Sequence, residues 1–124
     1  MAAEVKDFPC STEGMVAAQA FLESFCDSPK PAIVMDEIVS NIVRCSGASG
    51  FSISLENVAD GRIEMVFTDD GAAFDPTSDA KSPDLTSSIE DRDVGGLGIF
   101  MVKKMAKSVK YVREADRNVL TVMM

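Results

Sequence analysis

The chain has 124 residues, enough for one domain closed around one hydrophobic core, and its 46% hydrophobic and 26% charged residues are an ordinary globular balance. Twelve basic against twenty acidic residues give a net charge of −8, which opposes the clustered Lys and Arg that binding to a nucleic-acid backbone requires. There is no histidine, so the commonest general base, the commonest zinc ligand and any phosphohistidine are excluded together. Cys10, Cys26 and Cys45 are odd in number and unpatterned, and read as reduced apolar residues rather than a disulfide framework or metal site. No apolar run reaches membrane-spanning length and Met1 to Phe8 lacks the basic-then-apolar pattern of a leader, so a cytoplasmic protein with no membrane partner is expected.

In chain order, Val5 to Phe8 reads as a short strand ended by Pro9. Ser11 or Thr12 then caps a helix to about Cys26, with Met15, Ala18, Leu22, Phe25 and Cys26 on one face. The turn Asp27-Ser28-Pro29-Lys30-Pro31 breaks that helix, and a second runs from about Pro31 to Cys45 with a stripe of Met35, Ile38, Val39 and Ile42. Two strands follow: Phe51, Ile53 and Leu55 alternate with polar residues, as do Ile63, Met65 and Phe67, and Asp60-Gly61 between them is a hairpin signal. From Asp75 to Val94 the chain is rich in Asp, Ser, Thr and Pro without sustained periodicity, the pattern of a disordered segment or a functional lid. Gly95-Gly96-Leu97-Gly98 opens a third helix with Ile99, Val102, Met105 and Ala106 on its apolar side, and strands at about Ser108 to Arg113 and Asn118 to Met123 close the chain. The expected fold is a single α/β domain over residues 1–124, an α+β two-layer sandwich in which three helices cover one face of a mostly antiparallel, mixed sheet.

Three constellations carry chemistry. Glu37 and Asn41 stand one helical turn apart at the edge of the core stripe, where a carboxylate could activate a hydroxyl and a carboxamide oxygen could hold magnesium; taken alone, a solvated helix face also accounts for them. In Thr68-Asp69-Asp70-Gly71-Ala72-Ala73-Phe74-Asp75, Asp69 could accept a hydrogen bond from an exocyclic amine such as that of adenine, with Gly71 and Ala73 admitting the base, or the segment could be a plain turn. Gly95-Gly96-Leu97-Gly98 presents backbone N–H groups at a helix start, as phosphate sites do, although a single glycine-rich loop is a common feature.

Together and in this order, the three resemble the GHKL (histidine kinase-like) ATPase superfamily, and within it the anti-sigma serine kinases of the RsbW-like family. Met35 to Arg44 matches the N box, Thr68 to Pro76 the first glycine box, Gly95 to Val102 the second, and Asn118-Val119-Leu120-Thr121 looks like the last strand; the likeness runs from about Ser11 to Val122. Ala73 stands where a second glycine is usual. The resemblance implies ATP and Mg2+ as cofactors. It implies Asn41 as the magnesium ligand, Glu37 as the general base for an acceptor hydroxyl, and Arg44 as a basic group near the phosphates. It further implies Asp69 as the adenine contact supported by Thr121, with Gly71 and Ala73 beside the base. Gly96, Leu97 and Gly98 would lie at the phosphates, and about 75–94 would form a flexible ATP lid. Stand-alone kinases of this type are expected to dimerise, sequester a sigma factor, and phosphorylate a STAS-domain antagonist on serine or threonine, the mark being reversed by a metal-dependent phosphatase. The other reading left open is a nucleotide-gated module that sequesters a regulator without transferring phosphate. Neither a P-loop nor a His-Arg-Asp loop is present, so those kinase classes are excluded.

Overall fold

The computed structural model describes residues 3–45, 47–58, 61–73 and 101–124. Strand β1 (Glu4–Pro9) leads into helix α1 (Thr12–Phe25) and helix α2 (Pro29–Cys45), followed by the hairpin β2 (Gly50–Val58) and β3 (Arg62–Asp69) and the hairpin β4 (Ser108–Glu114) and β5 (Arg117–Met123). Ser11 is the N-cap of α1: its hydroxyl accepts the Gly14 N–H at 3.1 Å, satisfying one of the donors a helix start leaves free. The second helix begins two residues earlier than its sequence pattern suggests, at Pro29. Both Pro29 and Pro31 fall in its first turn, where a missing N–H costs nothing.

The five strands form one sheet in the order β1-β2-β3-β5-β4. Every pairing among the described strands is antiparallel, where a partly mixed sheet was expected. The strands of each hairpin pair up to their facing ends, Val58 with Arg62 and Glu114 with Arg117, in the antiparallel sense. Gly61 takes φ 72°, and the β4–β5 turn is made by Ala115 and Asp116 at φ 51° and 60°, the geometry of a two-residue turn whose twist matches that of the strands.

The alternation read from β2 and β3 puts Phe51, Ile53, Leu55, Met65 and Phe67 on the inward face. The helices cover that face. The stripe Met35, Ile38, Val39 and Ile42, with Val34, is fully buried, as are Ala18 and Leu22 of α1, in one continuous cluster with the strand residues. Residues 101–105 are helical; Val102 is buried, and Met105 and Ala106 pack against the cluster. Gly95, Gly96, Leu97, Gly98 and Ile99, expected to open this third helix, and 75–94, expected to form the lid, lie outside the described residues. Helix α1 meets the end of β1 so closely that a Cβ on Gly14 would sit 1.9 Å from the Pro9 carbonyl oxygen. Among the described residues no helix is long and apolar enough to cross a membrane.

Candidate functional site

Strand β3 carries its inward pattern one step further than its apolar residues do. After Met65 and Phe67 the next inward position is Asp69, so the pleat drives a carboxylate into the core face at the strand's end, where it is 5% exposed. A carboxylate in that position must be hydrogen-bonded. Its Oδ1 accepts from the Gly71 N–H at 2.9 Å and from Asn118 Nδ2 at 3.0 Å, and Oδ2 accepts from none of the described residues. The Gly71 bond closes a turn of the kind that Asp favours.

Asp69 belongs to a row that crosses all five strands in register: Phe8, Phe51, Asp69, Asn118 and Arg113. The first two are stacked aromatics with ring centres 5.4 Å apart; the last three are polar. The row therefore changes from hydrocarbon to hydrogen-bonding groups at Asp69. Asn118, 6% exposed, also donates to the Ala72 carbonyl at 2.8 Å and accepts from the Tyr111 hydroxyl at 2.6 Å, while Arg113 Nη1 donates to the Gly71 carbonyl at 2.8 Å. Gly71 is buried at the start of this segment and Ala73 is exposed at its end.

Next to it, Asp70 points away into solvent and holds Ser49, accepting from its N–H at 2.9 Å and its hydroxyl at 2.6 Å. These bonds lower the Asp70 pKa below its ordinary value, the Ser49 hydroxyl contributing most. Cys10, half-buried nearby, has its thiol pKa raised by burial first and then by the negative charges of Asp69 and Asp70. A shallow cleft of 230 Å³ lies at the same end of the sheet, lined by residues including Asp7, Ser52, Thr68 and Arg117, positions that alternate with the inward row and so face the other side.

On α2, Glu37 and Asn41 are both half-buried, bordering the buried Val34, Ile38 and Ile42. Arg44, three residues beyond Asn41, shares their flank by helical spacing; it is exposed, and its Nε donates to the Ser40 carbonyl at 3.2 Å. Thr121 is placed away from this site. It lies opposite Val66 on β3 and Lys110 on β4, on the sheet face opposite to Asp69. The residue that supports Asp69 from β5 is Asn118, directly across from it. One signal in the sequence points there: Asn118, Leu120 and Val122 alternate, so the core parity of β5 passes through Asn118 and skips Thr121. Tyr111, Arg113 and the Ser49–Asp70 pair carried no comparable signal, because their partners are 7 to 42 residues away in sequence.

A family model described as a histidine kinase-like ATPase domain matches residues 14–124. The chain belongs to that family, and as a member carries an ATP-binding, kinase-like ATPase domain. It is also similar to the serine/threonine-protein kinase BtrW of Bordetella bronchiseptica, with 30% identity over 89 residues. The match covers 69% of this chain and 62% of that relative, so the chain spans less than two thirds of the relative's length.

Proposed function

We propose that the protein is a magnesium-dependent serine/threonine protein kinase that uses ATP to phosphorylate a STAS-type antagonist, releasing or capturing a sigma factor according to the antagonist's phosphorylation state. The observation that carries the nucleotide half is Asp69, a buried carboxylate with one oxygen tied by two protein donors and the other left to a ligand amine. The transfer half is supported by the likeness to a serine/threonine-protein kinase, by a carboxylate at Glu37, and by the absence of any histidine acceptor in this sequence.

In this reading Asp69 accepts the exocyclic amine of adenine. Glu37, on the flank of α2 that also bears Asn41, takes the proton from the acceptor hydroxyl as its oxygen attacks the terminal phosphate and ADP departs. Magnesium, an ion that keeps several waters and shares the substrate's phosphates, asks little of the protein, and the carboxamide oxygen of Asn41 would supply the protein's ligand. Magnesium, when bound, neutralises charge on the phosphates, a service that a chain of net charge −8 without a P-loop lysine otherwise lacks. Arg44 would add positive charge at the same end of the helix. A homodimer, and a metal-dependent phosphatase that reverses the mark, complete the partner set of this reading.

The test is to incubate the protein with labelled Mg-ATP and a STAS-domain protein encoded beside it. Label on serine or threonine of that partner, lost in Glu37→Ala with ATP binding retained, supports the kinase. ATP binding with no transfer to the partner would sink it and leave a nucleotide-gated sequestering module.

A further inference from the structure

Two side chains of edge strand β4 reach the site from the far end of the sheet. Tyr111 lies opposite Leu120 and Arg113 opposite Asn118, so both share the inward parity of Asp69. Tyr111 is half-buried against the core; its hydroxyl donates to Asn118 Oδ1 at 2.6 Å. Asp69 Oδ1 and the Ala72 carbonyl, both pure acceptors, decide which way round the Asn118 amide stands, and the Tyr111 hydroxyl anchors its Oδ1 end in place. An asparagine amide has one acceptor end and one donor end of nearly equal shape. With Oδ1 on the Tyr111 hydroxyl, both hydrogens of Nδ2 are committed, one to Asp69 Oδ1 at 3.0 Å and one to the Ala72 carbonyl at 2.8 Å. Reversed, the amide would put its oxygen against a carboxylate and a carbonyl, two acceptors, with no hydrogen between them. Arg113 acts on the other donor to Asp69. Its Nη1 holds the Gly71 carbonyl at 2.8 Å, and Gly71 is the residue whose N–H occupies Asp69 Oδ1.

We infer that Tyr111 and Arg113 are positioning residues for base recognition: acting through Asn118 and Gly71, they keep Oδ1 of Asp69 occupied and its plane fixed, so that Oδ2 is presented to the exocyclic amine of a purine. The inference rests on the reading that Asp69 binds adenine. It sets the chemistry of selection. A carboxylate held as a pure acceptor takes the 6-amino group of ATP and repels the 6-oxo group of inosine triphosphate, so a loosened carboxylate loses discrimination before it loses the ligand.

The test is calorimetric titration of the wild type, Tyr111→Phe, Arg113→Ala and Arg113→Lys with ATP and with inosine triphosphate, at the same magnesium concentration, with thermal unfolding recorded for each protein. The wild type is expected to prefer ATP by roughly 30-fold or more. Tyr111→Phe, which removes only the hydroxyl, is expected to weaken ATP about tenfold while affinity for inosine triphosphate changes little, with the unfolding temperature kept within a few degrees. Arg113→Ala should narrow the ratio in the same way, and Arg113→Lys, which keeps a donor for the Gly71 carbonyl, should restore most of it. Equal losses for both nucleotides in Tyr111→Phe, or an unchanged ratio, would overturn the positioning role while leaving the ATP site standing. A wild type that binds ATP no better than inosine triphosphate would instead bring down the assignment of Asp69, and this inference with it.

Discussion

Asn118 and Asp69 are 49 residues apart in the chain and face each other directly across β5 and β3, the amide nitrogen of one 3.0 Å from the carboxylate oxygen of the other, both buried. Neither fits its place on polarity alone. Each is satisfied by the other and by the segment that leaves β3, where Gly71 donates to Asp69 and Ala72 accepts from Asn118. The arrangement is therefore a unit, and removing one member strands several partners.

Asn118→Ala should make this visible. It leaves the Tyr111 hydroxyl, the Ala72 carbonyl and Asp69 Oδ1 each short of a partner at a buried or half-buried place, and is expected to cost about 2–3 kcal/mol, read from urea unfolding midpoints. Asn118→Asp is the sharper variant. It sets a second carboxylate against Asp69, and like charges at that distance raise the pKa of one of the pair above its unfolded value. A carboxyl whose folded pKa is raised stabilises the fold below the unfolded pKa and loses that contribution as pH rises through the folded one. Asn118→Asp should then be closer to the wild type in stability at about pH 4 than at about pH 7. A constant deficit across that range would mean that the two carboxylates do not meet.

Much of this was legible from the sequence, for a definite reason. Helix α2 is amphipathic enough that Met35, Ile38, Val39 and Ile42 could be assigned to the core by spacing, and all four are buried. The alternation of β3 likewise assigned Met65 and Phe67. Asp69 could be singled out because it ends an apolar strand and precedes Gly71. Thr121 was expected beside Asp69 by family resemblance, but the register sets it opposite Val66 and sets Asn118 opposite Asp69, and a shift of that parity along a strand turns a side chain to the other face. The start of α2 slipped by two residues since prolines read as breakers until their position in the first turn is known. What no local pattern carries is the set of contacts made by register, Tyr111 on Asn118 and Arg113 on Gly71, since these depend on β4 lying outside β5.

Asp70 should give the wild-type fold an acid-sensitive element of the opposite sign. Its pKa is depressed by the Ser49 hydroxyl and N–H from an ordinary value of 3.8. A carboxyl lowered on folding contributes stability that is present above the unfolded value and is lost as pH falls through the folded one. Stability measured by urea unfolding from about pH 6 to about pH 3 should fall at the acid end, and Asp70→Asn should flatten that fall. An unchanged slope in Asp70→Asn would show that Ser49 does not hold the carboxylate in solution.

Cys10 offers a chemical probe of the same corner. Burial, then Asp69 and Asp70, raise its pKa above the ordinary 9.0, so less of it is thiolate at neutral pH than of an open cysteine. In a background where Cys26 and Cys45 are replaced by alanine, its reaction with a disulfide reagent at about pH 8 should be slower than that of free cysteine. Asp70→Asn removes one of the raising charges and should speed it; nucleotide bound at Asp69 should slow it. No response to either change would place the thiol away from both carboxylates.

The turn between β4 and β5 bears on Arg113 directly, since Arg113, Glu114, Arg117 and Asn118 pair across it. Ala115 and Asp116 hold φ of 51° and 60°, a region that aspartate tolerates and alanine does not favour. Ala115→Gly removes a Cβ from that conformation but frees the unfolded chain, so the two effects oppose each other. Strain in the left-handed region costs of order 1 kcal/mol and the entropy of an added glycine somewhat less. The variant should therefore be equal to the wild type or up to about 0.5 kcal/mol more stable, whereas Gly14→Ala, forced against the Pro9 carbonyl, should lose about 2–3 kcal/mol. A stability loss in Ala115→Gly as large as that in Gly14→Ala would mean that the turn does not take this conformation in solution, and the register that brings Arg113 opposite Asn118 would fall with it.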